Sequence, residues 1–245
     1  MAVYNKVGLI DEQSNIFRSI VDGSVTTITA KNLKNVEYIG DYAFNYCTSL
    51  TSISLPNTIT SIGEEAFSFC TSLKSIIIPS SVTTIGEGAF SASGLTSISL
   101  PNTITSIGNG AFVQCTNLTS ASLPNNLTAI SHELFANCTS LTSVTIPNTV
   151  TYIGQRAFYY CTSLTSITIP ASVTSIDEDA FRGLPNGGNV TILATTPPTL
   201  ADNKVFYTQP NGCFLDHIYV PSSSVNAYKN ATNWSEYASK ITGII

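Results

Sequence analysis

Charge is the scarcest property of this chain. Lys, Arg, Asp and Glu make up only 10% of its 245 residues, against about a quarter in an ordinary soluble domain. The ten basic residues are scattered and the net charge is −5. Phosphate binding needs clustered Lys and Arg, so a nucleic-acid partner is excluded. Histidine is almost missing as well. His132 and His217 are the two present; they fall in different regions, and no nucleophile with an orienting third group can be assigned to either. There is no Gly-rich phosphate loop of either common pattern. The densest acidic run, "DEDAF" at Asp177–Asp179, lacks the spaced oxygens and closing Glu of a calcium loop, and reads as a negatively charged helix start. These absences point to a protein that is not an enzyme and holds no metal or cofactor. No stretch approaches the roughly 20 consecutive apolar residues that span a membrane, so membrane insertion is not expected. "MAVYNKVGLIDEQSNIF" lacks the apolar run and cleavage site of a secretory signal. That leaves two readings open: a trimmed mature fragment, or a chain outside the general secretion route.

What fills the sequence is repetition. Phenylalanine recurs at positions 44, 67, 90, 112, 135, 158 and 181, and proline at 56, 79, 101, 124, 147 and 170. Both series step by 23 residues except for one step of 22, where "FSASGLTS" is a residue shorter than "FSFCTSLKS". Each unit reads L-x-x-I-x-[IL]-P-x-x-[VI]-x-x-I-G-x-x-A-F-x-x-C. Within "LTSISLP", hydroxyl and apolar residues alternate, which predicts a strand with Ile53 and Leu55 inward. Pro56 ends that strand, having no donor for the ladder. Ile59 and Ile62 in "TITSIG" point inward, and "EEAFSFC" predicts about two turns of helix with Ala66, Phe67 and Cys70 on one side.

A single unit of this size cannot bury enough apolar surface to offset the entropy of ordering it, so the units must stack. The expected fold is an α/β solenoid: a right-handed, curved array with one parallel β-sheet, short helical segments on the other side, and capped ends. Three regions follow. Residues 1–23 form an N-terminal helical cap, on the helical spacing of Ile16, Phe17, Ile20 and Val21. Residues 24–184 form the solenoid. Residues 185–245 form a degenerate repeat and an aromatic cap carrying Tyr228, Trp234, Tyr237 and Ile241.

The units resemble the BspA-like leucine-rich repeats; "SLTSITIPASVTSI" followed by "AF" is close to that family's consensus. The tail "TTPPTL…IYVPSSSVNAYKNATNWSEYASKI" is similar to a terminal segment common in such proteins. The resemblance implies a non-enzymatic, adhesin-like or receptor-binding module, on a cell surface or extracellular, that engages a protein or glycan. Because the family also occurs in phage-associated genes, the alternative is a structural, virion-associated role with the array as a rigid spacer.

Two surfaces are the candidate binding sites. The strand face carries Ser52 and Ser54, Ser75 and Ile77, Ser97 and Ser99, Ser120 and Ser122, Ser143 and Thr145, and Ser166 and Thr168. Such a face is broad and rigid but has little hot-spot material, so shallow, multivalent contacts are expected. The second surface consists of aromatic anchors just before the repeat Cys position: Tyr46 and Phe69, which should be neighbours on consecutive coils, and Tyr159 and Tyr160. The repeat cysteines Cys47, Cys70, Cys115, Cys138 and Cys161 point inward in parallel, which predicts a ladder of reduced, buried thiols rather than disulfides or a metal site. Cys213 stands apart and reads as free.

Overall fold

The computed structural model describes residues 2–4, 8–11, 15–20, 24–207 and 215–244; for 2–4, 8–11 and 18–20 it describes the backbone alone. Val21 and Cys213 lie outside the described residues. The chain winds into a parallel β-solenoid of about nine turns. Where a single sheet was expected, each coil contributes to two parallel ladders. One ladder is built from the "SIS" segments: Thr27–Ile28 pairs Ser52–Ile53, then Ser97–Ser99, Ser120–Ser122 and Ser143–Thr145 pair in turn, then Ser166–Ile169, Asn189–Ile192, His217–Val220 and Ile241–Gly243. The other is built from the "SIG" segments, running from Tyr38–Ile39 through Ser61–Ile62 and Thr84–Ile85 to Ser106–Ile107, and again from Ala129–Ile130 through Tyr152–Ile153 and Ser175–Ile176 to Thr199–Leu200. "TITSIG" does more than supply inward isoleucines. Its backbone is extended, and pairing with the next coil satisfies groups that would otherwise be buried without partners.

The helical side is also corrected. The "GxxAFxxC" segments are runs of turns; among the described residues the α-helix is the six-residue Val225–Asn230 near the C-terminus. Two residues in each such segment, four apart, have left-handed backbones: Tyr42 and Tyr46, Glu65 and Phe69, Glu133 and Asn137, Arg156 and Tyr160. A left-handed residue interrupts an α-helix, and alternate N–H groups turn outward to the following coil. Tyr42 N–H donates to Glu64 O at 2.7 Å, Phe44 to Ala66 at 2.8 Å and Tyr46 to Ser68 at 2.9 Å. The physical reason is width. Helices pack about 8–10 Å apart, whereas paired strands lie about 4.8 Å apart, so turns can follow the strand spacing where helices would splay the coils. The phenylalanine rings in these segments stack at 4.8 to 5.7 Å, close to the strand spacing.

Those rings form one continuous column: Phe17, Phe44, Phe67, Phe90, Phe112, Phe135, Phe158, Phe181 and Phe206, each fully buried. The expected N-terminal helix is replaced by the strand Ile16–Ile20, which pairs in parallel with Tyr38–Ile39 and antiparallel with Gly8–Asp11. Only in that register does Phe17 reach its place on Phe44, with ring centroids 4.8 Å apart. The first coil also gains partners for its ladder edge. At the far end Trp234 and Tyr237 pack against Phe206 at 5.7 and 5.4 Å. Their polar tips are satisfied: Trp234 Nε1–H donates to Pro198 O at 2.7 Å, and the Tyr237 hydroxyl to Asn203 O at 2.6 Å.

The described cysteines are all free and buried. Four of the five thiols donate to a phenylalanine carbonyl of the preceding coil: Cys70 to Phe44, Cys115 to Phe90, Cys138 to Phe112 and Cys161 to Phe135, at 3.0 to 3.2 Å; Cys47 in the first of these coils faces Asn45 O at 3.9 Å. Where the third unit has Ser93, its hydroxyl contacts Cys115 Sγ at 3.3 Å. Burial pushes the Cys70 thiol up to about 12 and the Cys115 thiol up to about 11, so both stay protonated at neutral pH.

Candidate functional site

The strand-face residues alternate with buried ones as the sequence predicts. Ser52, Ser54, Ser75, Ile77, Ser97, Ser99, Ser122, Ser143, Thr145, Ser166 and Thr168 are exposed and Ser120 is half-buried. The inward Ile53, Ile98, Ala121 and Ile167 are buried. Along Ser97–Ser99, Ser120–Ser122 and Ser143–Thr145 the hydroxyls stand directly opposite one another in register. The row is not continuous. Ser75 and Ile77 meet the ladder only through a bridge from Ser54 to Ile77. The cause lies in the short unit that follows: Gly94 N–H donates to Cys70 O at 3.0 Å, and a Cβ at Gly94 would lie 2.1 Å from Thr71 O. The missing residue draws the corner tight, and pairing restarts at Ser97. Ile77 is left 85% exposed on an otherwise hydroxylated surface.

Threonines at the rim have a structural task. Thr51, Thr96, Thr119 and Thr142 each donate a hydroxyl to a carbonyl of the preceding coil, at 2.9 to 3.2 Å. Those hydroxyls tie coil to coil, whereas the outward rows, the serines with Thr145 and Thr168, are turned to solvent. A shallow depression of about 370 Å³ lies on this face, with Ser143, Thr145, Ser166 and Thr168 along it and Leu193 at one side.

Sequence reasoning stopped the face at Thr168, but the ladder continues. Asn189 and Thr191, then His217 and Tyr219, then Thr242 occupy the same outward rows. His217 Nδ1 lies 3.3 Å from Thr242 Oγ1, and its ring is 5.2 Å from that of Tyr219. The available signal was the alternation in "NVTI" and "HIYV"; the first lacks the repeat's Leu and Pro, while "LDHIYVP" keeps both but lies 51 residues after "LTSITIP", off the 23-residue step.

The aromatic residues fall in two places. Tyr46 stacks on Phe69 with centroids 4.4 Å apart and planes 7° from parallel. Tyr159 meets Tyr160 edge-on, also at 4.4 Å, and the Arg156 guanidinium sits 5.5 Å from the Tyr159 ring centre. The two pairs share one edge of the solenoid but belong to different coils, separated by Ala92, Gln114 and Asn137 at the equivalent positions, so they do not form one site.

His132 lies on this same turn edge. Its Nδ1 accepts the Gln155 N–H at 2.9 Å, as Asp41 accepts the Glu64 N–H in the first coil at 2.8 Å. The histidine is therefore a coil-to-coil acceptor. The acidic run is partnered too. Asp177 accepts the Tyr152 hydroxyl at 2.6 Å, and Asp179 pairs with Arg156 and Arg182 at 3.7 and 3.2 Å. Burial and the bond to Asp177 raise the Tyr152 hydroxyl to about 12. Among the described residues no group of three or more His, Cys, Asp or Glu could hold a metal ion, and no helix is long and apolar enough to cross a membrane.

Several solved bacterial proteins are similar to this chain. A leucine-rich repeat protein from Bacteroides ovatus is 22% identical over all of this chain and 90% of its own length, with a TM-score of 0.47. The leucine-rich repeat protein of T. pallidum is 25% identical over 63% of this chain and 81% of its own, with a TM-score of 0.46. The pneumococcal vaccine antigen PcpA is 18% identical over 89% of this chain and 65% of its own, with a TM-score of 0.50. No curated protein is significantly similar in sequence. The model of the BspA type leucine-rich repeat region matches in six copies, over residues 13–142 and 105–239. That match covers most of the chain, and the chain belongs to the BspA-type leucine-rich repeat family.

Proposed function

We propose that this chain is a non-enzymatic recognition module, adhesin-like or receptor-binding, that engages a protein or glycan on a cell surface through its strand face. The observation that carries this reading is the division of each strand. Inward residues are sealed, while eleven of the twelve outward positions first singled out are exposed, on a backbone fixed by inter-coil hydrogen bonds. A face held this way loses little conformational entropy on binding. Its hydroxyls make uncharged, repeated contacts suited to a polymer with its own repeat. Leu193, Tyr219 and Ile77 interrupt the hydroxyls and supply apolar contact that serine lacks.

The test is a binding screen of the whole chain against glycan arrays and extracellular-matrix proteins, repeated with Ser120→Arg and Ser143→Arg. Hits should weaken at least tenfold in both variants, because a long cation is placed in the middle of the face. Hits that survive both changes would remove the strand face from the reading.

A further inference from the structure

The chain's negative charge is unevenly placed. Eight of the 15 acidic residues lie in the turn segments between the two ladders: Asp41, Glu64, Glu65, Glu87, Glu133 and the run Asp177–Asp179. The same segments hold two cations, Arg156 and Arg182, and both are engaged with carboxylates, Arg156 with Glu133 at 3.6 Å and Asp179 at 3.7 Å, and Arg182 with Asp179 at 3.2 Å. From Asp41 to Glu133 the turn edge carries carboxylates and no cation.

An exposed aromatic platform stands at the start of that stretch. Tyr38, Tyr42 and Tyr46 are 38%, 50% and 64% exposed, and they are the exposed large aromatics among the described residues. The rings are held in place. Tyr46 is stacked on Phe69 on one side, and its N–H is tied to Ser68 O. The Tyr42 hydroxyl donates to the Glu64 carboxylate, whose bond and charge raise that hydroxyl to about 12. Tyr46 therefore offers its open face as a fixed surface. In the same two turns Asn45 Oδ1 and the buried Ser68 Oγ have no protein partner.

Next to the platform the edge is hollowed. Gly88 and Gly110 occupy the left-handed position that holds Tyr42, Glu65 and Glu133 in other coils, so two side chains are missing from the row. The resulting trough, about 470 Å³, is lined by Glu65, Glu87, Asn109, His132, Glu133 and Gln155.

We infer that the turn edge from Tyr46 to Glu133 is a second binding surface, separate from the strand face, and that its occupant is an extended basic segment of a protein. Charge complementarity selects the partner. One Lys or Arg side chain lies on the open face of Tyr46, where a cation over an aromatic ring is favoured. Others reach Glu65 and Glu87 along the trough, whose far end is closed by Glu133 paired with Arg156. The dimensions agree. Four coil steps of about 4.8 Å match about six residues of extended chain at about 3.4 Å each. Arginine fits better than lysine, because its planar fork can both stack on the ring and bind a carboxylate in two places.

The experiment titrates the whole protein into a fluorescein-labelled Arg-Ser-Arg-Ser-Arg peptide at low ionic strength and follows anisotropy. Saturable binding is expected, weakened about fivefold or more by Tyr46→Ala, retained by Tyr46→Phe, and weakened about threefold by Glu87→Gln. Glu236→Gln, the same charge change in the C-terminal region, should have no effect. Equal losses in Glu87→Gln and Glu236→Gln, with none in Tyr46→Ala, would show bulk attraction only and overturn the proposal. Stoichiometric displacement of the peptide by calcium would overturn it too, by making the trough a metal site. Because these variants leave Ser120 and Ser143 untouched, failure here is distinguishable from failure of the strand-face reading.

Discussion

At the residue scale, the left-handed positions decide the cross-section of each coil. Their occupants include Tyr42, Glu65, Phe69, Gln114, Asn137 and Arg156, with φ from 46° to 60°, and none is β-branched. A left-handed backbone costs an ordinary residue roughly 1–2 kcal/mol, and crowding at Cβ makes it worse for Val, Ile and Thr. Gln114 is exposed, so its side chain can be changed without disturbing the core. Gln114→Val should lower the unfolding free energy by about 1–2 kcal/mol, while Gln114→Gly should leave it nearly unchanged. Urea midpoints of the two variants check this. Helix propensity would rank them the other way, with Val better than Gly, so the measurement also separates turn from helix.

The buried thiols give a second prediction at this scale. Burial raises Cys70 to about 12 and Cys115 to about 11, from 9 in an exposed chain. The folded state keeps these thiols neutral while the unfolded state ionises, so their contribution is complete below pH 9. It is lost as pH rises from 9 towards 11 and 12, at up to about 1.4 kcal/mol per pH unit for each thiol. Urea midpoints between pH 8 and pH 10 should fall, and fall less steeply in Cys115→Ser. Serine is the conservative choice because Ser93 already fills the equivalent place at 3% exposure.

At the element scale, the turn segments are governed by how closely coils approach. The corner glycine of the "IG" pair is one of the tight points. A Cβ on Gly86 would lie 2.5 Å from Gly63 C, well inside contact distance, and backbone cannot step aside as a side chain can. Gly86→Ala should therefore cost more than 2 kcal/mol and lower the thermal midpoint, whereas Gly88→Ala strains its own φ of 57° and brings a Cβ to 3.1 Å from Glu65 Cγ, a flexible side chain that can yield, and should cost about 1 kcal/mol. The Phe column obeys the same spacing from inside. Phe112 is fully buried between Phe90 and Phe135, at 5.4 and 5.6 Å. Phe112→Ala would leave a ring-sized void and cost about 3–5 kcal/mol.

Much of this element-level design can be read in the sequence, and one part cannot. Ala66, Phe67 and Cys70 are spaced so that either a helical turn or a chain of β-turns would bring them to one side. Local pattern does not separate the two, and Glu65 gives no hint of a positive φ. The neighbours decide, because a coil confined to strand spacing has no room for a helix. Ile16, Phe17 and Ile20 were equally ambiguous: their spacing suits a helix, but the parallel edge at Tyr38–Ile39 and the open face of Phe44 favour a strand.

At the scale of the whole molecule, contacts run almost entirely between adjacent coils, so stability should be a sum over repeats and their interfaces. Removing residues 120–142, one whole period, joins Thr119 to Ser143 in unchanged register. That shortened chain should still melt cooperatively by circular dichroism, a few degrees lower. Removing 120–131, about half a period, places inward residues outside and should abolish the transition. The charge distribution also exists only at this scale. Asp41, Glu64, Glu65 and Glu87 sit at intervals in the sequence that look unremarkable, and stacking gathers them beside Tyr46 along one edge.

The sequence by itself determined the period, which side chains are sealed inside, and the outward rows from Ser52 to Thr168, because a 23-residue repeat with alternating apolar residues has one way to bury them all. Tertiary structure alone decided the second ladder, the left-handed turns in place of helices, the strand at Ile16–Ile20, the break beside Ile77 and the gathering of aromatic and acidic groups on the turn edge. Each of these depends on the distance between a coil and the next, and that distance is a property of the stack which no single unit contains.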